Sequence, residues 1–204
     1  MSVTVNVSCA CGEVAGTLRD VSPKGGNRLI CYCRDCQAFA HYLEKDDSVL
    51  DAQGGTDIFQ TKPSRLTFTK GQNHIRSVKV TPKGIYRWYA DCCRSPIGNT
   101  ASTPDVPFVG LITAFISDQG QDKAAAIGPV RGGVNQEGAH GDPSALAKKV
   151  SPLAMAGMVA KMIGAKLKGD TATPFFDEDK NPLVEPTVLS AAERAAIDAR
   201  IDAA

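Results

Sequence analysis

The chain has 204 residues, with 23 Lys and Arg against 22 Asp and Glu, three His and seven Cys, for a formal net charge of +1. That balance excludes the basic, aromatic-studded surface of a nucleic-acid binder, and the longest apolar run, from Leu153 to Ile163, is broken by Lys161 and too short to span a bilayer. No apolar stretch follows a basic start, so the expectation is a cytoplasmic protein with neither nucleic acid nor membrane as partner.

In chain order, Val3, Val5 and Val7 alternate with Thr4 and Asn6, the period of a half-buried strand, and the strand delivers Cys9 at its end. A second strand, Val14 to Leu18, follows the Cys11-Gly12 turn, and Arg28 to Ile30 leads into the next cysteine group. Further strands are expected over 57–60, 65–69, 75–80, 85–89 and 108–115, separated by turn chemistry such as Gly54-Gly55, Lys62-Pro63, Lys70-Gly71 and Pro82-Lys83-Gly84. Short strands at this spacing, with no long helical pattern between them, predict a mainly β unit with its cysteines at strand ends and hairpin tips.

Composition shifts after Ser117. A glycine-rich loop runs from Gly128 to Gly141, and Ser151-Pro152 then supplies the N-cap and first position of a helix ending at Gly169. Leu153, Ala156, Val159, Ala160, Ile163 and Leu167 form its apolar face, widened by Met155, Met158 and Met162, and this face is expected to fill core space while the neighbouring lysines stay solvated. Ser190 and Glu193 form a capping-box signature for a last helix to about Ile201, and Phe175-Phe176 is an anchor for docking the tail on the β unit. The expected division is residues 1–116 as a β domain and residues 117–204 as a glycine-rich loop and helical extension packed on it.

The cysteines fall into three tight groups: Cys9-Ala-Cys11, Cys31-Tyr-Cys33-Arg-Asp-Cys36 and Cys92-Cys93. Thiolates one or two residues apart can close on one small soft cation, and Zn²⁺ is the commonest such ion. Disulfides fit less well, because the count is odd and no secretory signal is visible. One or two zinc ions are expected, and two sites fit the count better than one. His41, five residues after Cys36, has three open readings: a fourth metal ligand, an acid or base in a pocket, or an ordinary packing histidine.

The order of these motifs resembles the glutathione-dependent formaldehyde-activating enzyme and centromere protein V family. The stretches that carry the resemblance are Cys9-Ala-Cys11-Gly12-Glu13-Val14, Cys31-Tyr-Cys33-Arg-Asp-Cys36 and Cys93-Arg94-Ser95-Pro96-Ile97, and it covers roughly residues 2 to 116. It implies a small zinc-binding β-sheet scaffold of the Mss4-like, β-tent type. It further implies a structural zinc on Cys9, Cys11 and Cys93, and a second zinc linked to catalysis on Cys31, Cys33 and Cys36. Ala90 stands where that family has another cysteine, and Arg94 where it has glycine. Cys92 can substitute as a ligand only where the backbone kinks, since adjacent residues of an extended chain point in opposite directions.

The resemblance implies a carbon-sulfur lyase-like activity on a glutathione or other thiol-aldehyde adduct. Arg34, Arg65, Arg87, Arg94, Asp35 and Asp91 are the charges available near the cysteines for such a substrate. A non-catalytic zinc scaffold for protein interaction and a thiol redox or metal sensor using Cys92 are the alternatives. The extension has three uses in view: capping the second site, contacting substrate through Arg131 or Asn135, or forming a homodimer surface.

Overall fold

A computed structural model of the protein describes residues 2–117 and 122–203. The alternating β-branched stretches form strands β1 (Val3–Ser8), β2 (Ala15–Val21), β3 (Asn27–Cys31), β4 (Thr56–Thr61), β5 (Leu66–Lys70) and β6 (Ile75–Lys79). They continue as β7 (Tyr86–Ala90), β8 (Ser95–Thr100), β9 (Val109–Ile112), β10 (Gly133–Val134) and β11 (Thr187–Val188). Helices are α1 (Arg34–Tyr42), α2 (Asp46–Val49), α3 (Lys123–Ile127), α4 (Pro152–Leu167) and α5 (Ala191–Asp202).

The strands make two sheets, a small one in the order β1-β2-β5 and a larger one in the order β10-β3-β4-β9-β8-β7-β6-β11. Period two divides the larger sheet into two buried faces. Phe59, Tyr86, Trp88, Ala90, Ile97 and Leu111 share one core with Val5, Val7, Leu18 and Phe68 of the small sheet. Leu29, Ile58, Val78, Tyr89 and Ile112 share another with Phe39 and Leu43 of the α1 region and Ile197 and Ile201 of α5. Central strands are therefore buried without alternation, polar residues included: every residue of β7 and of β8 is buried. Arg87, between Trp88 and Tyr86, emerges on the α1 side, where its neighbour in period, Tyr89, also lies.

The chain after Ser117 supplies both outermost strands of the larger sheet, β10 pairing parallel to β3 and β11 parallel to β6. Phe175 and Phe176 dock as the sequence suggests: Phe175 is fully buried, stacked on Trp88 at a centroid distance of 4.8 Å, and Phe176 meets Tyr86 edge-on at 5.5 Å. The capping box of Ser190 and Glu193 is formed in full at the start of α5.

Two elements depart from the expected pattern. Nine residues from Arg34 to Tyr42 form α1, although no long helix was expected among the strands. A thiol starts it, with Cys33 at the N-cap accepting from the Cys36 amide and Asp35 in the first turn, while Phe39 and Leu43 supply the buried face four residues apart. The second departure is the apolar face expected to fill core space. In α4, Leu153, Val159, Ile163 and Leu167 are exposed, at 84%, 49%, 54% and 83%, and Ala165 is the buried position. This helix is apolar nearly all round, so periodicity could not choose which side meets the protein. The side turned toward the protein carries Met158, Met162 and Ala165, which line a cavity shared with the 24–27 loop.

Candidate metal centres

The first group of thiols ties two hairpin turns together. Cys9 follows β1, and a tight turn with Gly12 at φ 77° brings Cys11 back beside it, the Val14 amide donating to Cys9 Sγ at 3.2 Å. Cys92 and Cys93 occupy the β7–β8 turn. The chain turns over residues 91–94, so both thiols reach the same side, and Arg94 closes the turn in the left-handed region at φ 55°. Its guanidinium repays that strain by donating to the Leu43 and Tyr42 carbonyls at the end of α1 and by lying 5.4 Å above the Tyr42 ring. Ser95 joins the two turns, since its hydroxyl accepts from the Ala10 amide at 3.0 Å and lies 3.1 Å from Cys93 Sγ.

Sulfur separations here are 3.5 Å for Cys9–Cys11, 3.8 Å for Cys9–Cys92, 3.4 Å for Cys11–Cys92 and 4.0 Å for Cys92–Cys93. A regular tetrahedron of thiolates around zinc, with bonds of about 2.3 Å, has sulfur–sulfur edges of about 3.8 Å. A disulfide needs about 2.05 Å, and all seven cysteines are free. The spacing thus fits four thiolates on one ion. Crowding makes their successive deprotonations unequal. Burial raises Cys93, but hydrogen bonds from Ser95, Cys11 and Cys9 outweigh it and hold that thiol down at about 6; burial and the neighbouring sulfurs push Cys92 well up. A dication offsets the repulsion among the thiolates.

The second group is Cys31, Cys33 and Cys36, at the end of β3 and the start of α1. Cys31 Sγ lies 3.5 Å from Cys33 Sγ and 3.6 Å from Cys36 Sγ. Cys33 is the N-cap, so the group sits at the positive end of α1, whose first amides favour negative charge. Cys31 and Cys36 are buried while Cys33 is half-buried, so solvent reaches the group on the Cys33 side. The hydrogen bond with Cys31 lowers the Cys33 thiol, yet the bond with Cys36 and burial outweigh it and push it up to about 11.

Two polar side chains complete this second site. Arg87, 2% exposed, donates from Nη1 to Cys36 Sγ at 3.6 Å and to Asn99 Oδ1 at 3.2 Å. Its Nε is buried with no hydrogen-bond partner among the described residues. The nearest carboxylate, Asp35, stands 3.9 Å from Arg87 Nη2 and is held more closely by Arg194 at 2.6 Å. A buried guanidinium this close to sulfur is the counter-charge that three thiolates on a dication require, since that set carries a net charge of −1. Asn135 reaches in from the C-terminal half. It follows β10, which pairs Val134 with Cys31, and donates from Nδ2 to Cys31 Sγ at 3.5 Å.

Each group holds all its sulfurs within 4.8 Å of one another, and among the described residues no histidine joins either. His41 thus stands outside both thiol groups. Five residues along α1 from Cys36 amounts to about 1.4 turns, which carries the imidazole away from the thiols. Its Nδ1 faces Asp46 at 3.5 Å, and burial lowers its pKa. The charges expected near the cysteines also separate. Arg34 pairs with Asp198 and Asp202, Asp91 with Arg76, and Arg65 donates to the Gly25 carbonyl. Arg131 donates to the Pro23 carbonyl instead of facing a thiol. Along the sequence Arg87 is one of six equal charges; only the burial of every residue of β7 sets it apart. Asn99 and Ser95 carry no mark along the sequence.

Fold and site together define a mainly β protein with two sheets, a few helices and two cysteine clusters that can hold metal ions. The chain belongs to a family of unknown function, DUF6151, whose model matches residues 1–185. No curated protein matches it. A crystal structure of a Rhodobacter sphaeroides protein is similar in part, at 16% identity and a TM-score of 0.41, covering 61% of this chain and 96% of that one. Among the described residues no helix is long and apolar enough to cross a membrane.

Proposed function

We propose that the protein is a cytoplasmic zinc-dependent enzyme of carbon-sulfur lyase type, acting on the adduct of glutathione or another thiol with a small aldehyde. In this reading residues 1–116 form an Mss4-like, β-tent zinc scaffold and residues 117–204 close the second site. The observation that carries it is the asymmetry between the clusters. Cys9, Cys11, Cys92 and Cys93 supply the full four donors of a structural ion; Cys31, Cys33 and Cys36 supply three, with Arg87 and Asn135 directed at them. The order of the cysteine motifs, similar to that of the formaldehyde-activating family, supports the same substrate class.

Zinc held by the three thiols would supply Lewis-acid character and would favour the thiolate form of a substrate sulfur. The protein's own part is positional and electrostatic. Arg87 balances negative charge in a setting that excludes water, and the α1 amides add to it. Asn135 orients Cys31 and ties the extension to the site. In the forward direction the substrate thiol loses its proton, its sulfur bonds to the aldehyde carbon, the carbonyl π pair moves to oxygen, and that oxygen takes up a proton. The reverse breaks the carbon-sulfur bond by the same path.

The test combines metal analysis with NMR exchange between formaldehyde and its glutathione adduct. Purified protein should hold about two equivalents of zinc and accelerate the exchange. Cys33→Ser should abolish acceleration and lower the zinc content toward one equivalent with the fold retained, whereas Cys93→Ser should destabilise the fold. Two equivalents of zinc with no acceleration would reject the enzyme reading and leave the non-catalytic scaffold.

A further inference from the structure

Away from both thiol clusters, α4 and the loop before β3 enclose a cavity of about 380 Å³ with no cysteine in its lining. Its size lies in the range of small-molecule pockets. Two features set its chemistry. One wall is apolar: Pro107 and Phe108 precede β9, and Met158, Met162 and Ala165 face them from α4. The other feature is charge, because every ionisable side chain lining it is a cation: Lys24, Lys62, Arg65, Lys161 and Lys168.

Only Lys62 among these has a carboxylate partner in the described residues, Asp170. Arg65 is oriented by neutral acceptors, donating from Nη1 to the Gly25 carbonyl at 2.8 Å and to Thr61 Oγ1 at 3.3 Å, and it shares the Asp170 carboxylate with Lys62 only through space. Lys24, Lys161 and Lys168 have no carboxylate partner among the described residues. Lys161 donates to the Lys24 carbonyl at 3.2 Å, which brings two of the cations to the same edge. Protein surfaces ordinarily intersperse signs, because like charges gathered at one mouth repel. A chain of net charge +1 has no general excess of cations to place there.

We infer that this cavity is a binding site for an amphipathic organic anion, a carboxylate, sulfonate or phosphate head on an aliphatic or aromatic body. The head meets the lysines and Arg65, where charge-assisted hydrogen bonds are the strong ones. The body lies against Phe108 and the two methionines, whose unbranched thioethers adapt to differing shapes. Inorganic phosphate meets only the first requirement and a neutral alcohol only the second. The site is independent of the thiol chemistry proposed above.

The test uses the full chain, with 8-anilinonaphthalene-1-sulfonate as fluorescent probe and decanoate, decanol and inorganic phosphate as competitors. Decanoate should displace the probe, decanol should be at least about tenfold weaker, and phosphate should be ineffective. Lys24→Glu with Lys168→Glu, two exposed side chains, should weaken probe and decanoate about tenfold or more without lowering the melting temperature. Met162→Trp, which fills the apolar side, should do the same. Ile163→Gln on the exposed outer side of α4 should leave binding unchanged and so separates the cavity from that face. Equal potency of decanol and decanoate, displacement by phosphate, or loss of binding in Ile163→Gln with retention in the lysine pair would overturn the assignment.

Discussion

Replacing Arg87 by Met keeps most of the buried volume and removes the charge, which isolates the electrostatic role given to it. At 3.6 Å from Cys36 Sγ, a unit charge pair at an effective dielectric constant near 20 attracts by about 4.6 kcal/mol. That figure is a ceiling, because removing the guanidinium also removes its own desolvation cost. Side chains that support metal ligands from behind are ordinarily worth 10- to 100-fold in affinity, about 1.4 to 2.8 kcal/mol, which lies inside the ceiling. The expected result is a 10- to 100-fold weaker zinc affinity at one of two sites, measured by competition with a chromophoric chelator. The four-thiol cluster is an internal control in the same molecule and should keep its affinity. Arg87→Lys should recover part of the loss, since charge is kept and the planar fork is not. An unchanged affinity at both sites would refute the charge-balance argument, and an equal loss at both would mean that the substitution acts through the fold.

Phe175→Ala removes a fully buried ring stacked on Trp88 and set edge-on to Phe68 at 5.8 Å, so urea unfolding should show a loss of about 3 to 5 kcal/mol. A loss under about 1 kcal/mol would mean that the tail is not anchored there. Stability should also fall in acid at the base of α4. The hydrogen bond from Lys62 holds the Asp170 carboxyl below its ordinary value, so its contribution is fully present above the unfolded-state value of about 4 and lost as pH falls through the lower folded one. The pair is partly exposed, so the change is about 1 kcal/mol or less; Asp170→Asn should flatten that part of the pH profile, and an unaltered profile would remove the pair from the account.

Much of the site was legible along the chain because metal-ligand spacing is a local property. Cys9 with Cys11, and Cys31 with Cys33 and Cys36, are brought together by single turns whose residues lie side by side in sequence. Strand periods were equally local, and the capping box and the Phe175-Phe176 anchor followed from short motifs. The fourth thiol was not legible in that way. Whether Cys92 could stand beside Cys93 depended on the chain turning over residues 91–94, a turn whose Arg94 is held by carbonyls of a helix some fifty residues earlier.

What the sequence by itself determined is which thiols can act together and where the strands fall, because both depend on neighbours a few residues apart. Only the tertiary structure decided that His41 turns away from the thiols, that Arg87 alone of six charges is buried against them, and that Asn135 arrives from the other half of the chain. It also decided that α4 turns its methionine side inward and leaves its leucines in solvent. The physical reason is common to all four. Each is set by the pairing of distant strands or by which side of an element meets a neighbour, and a helix apolar all round or a charge in a central strand carries no local signal of either.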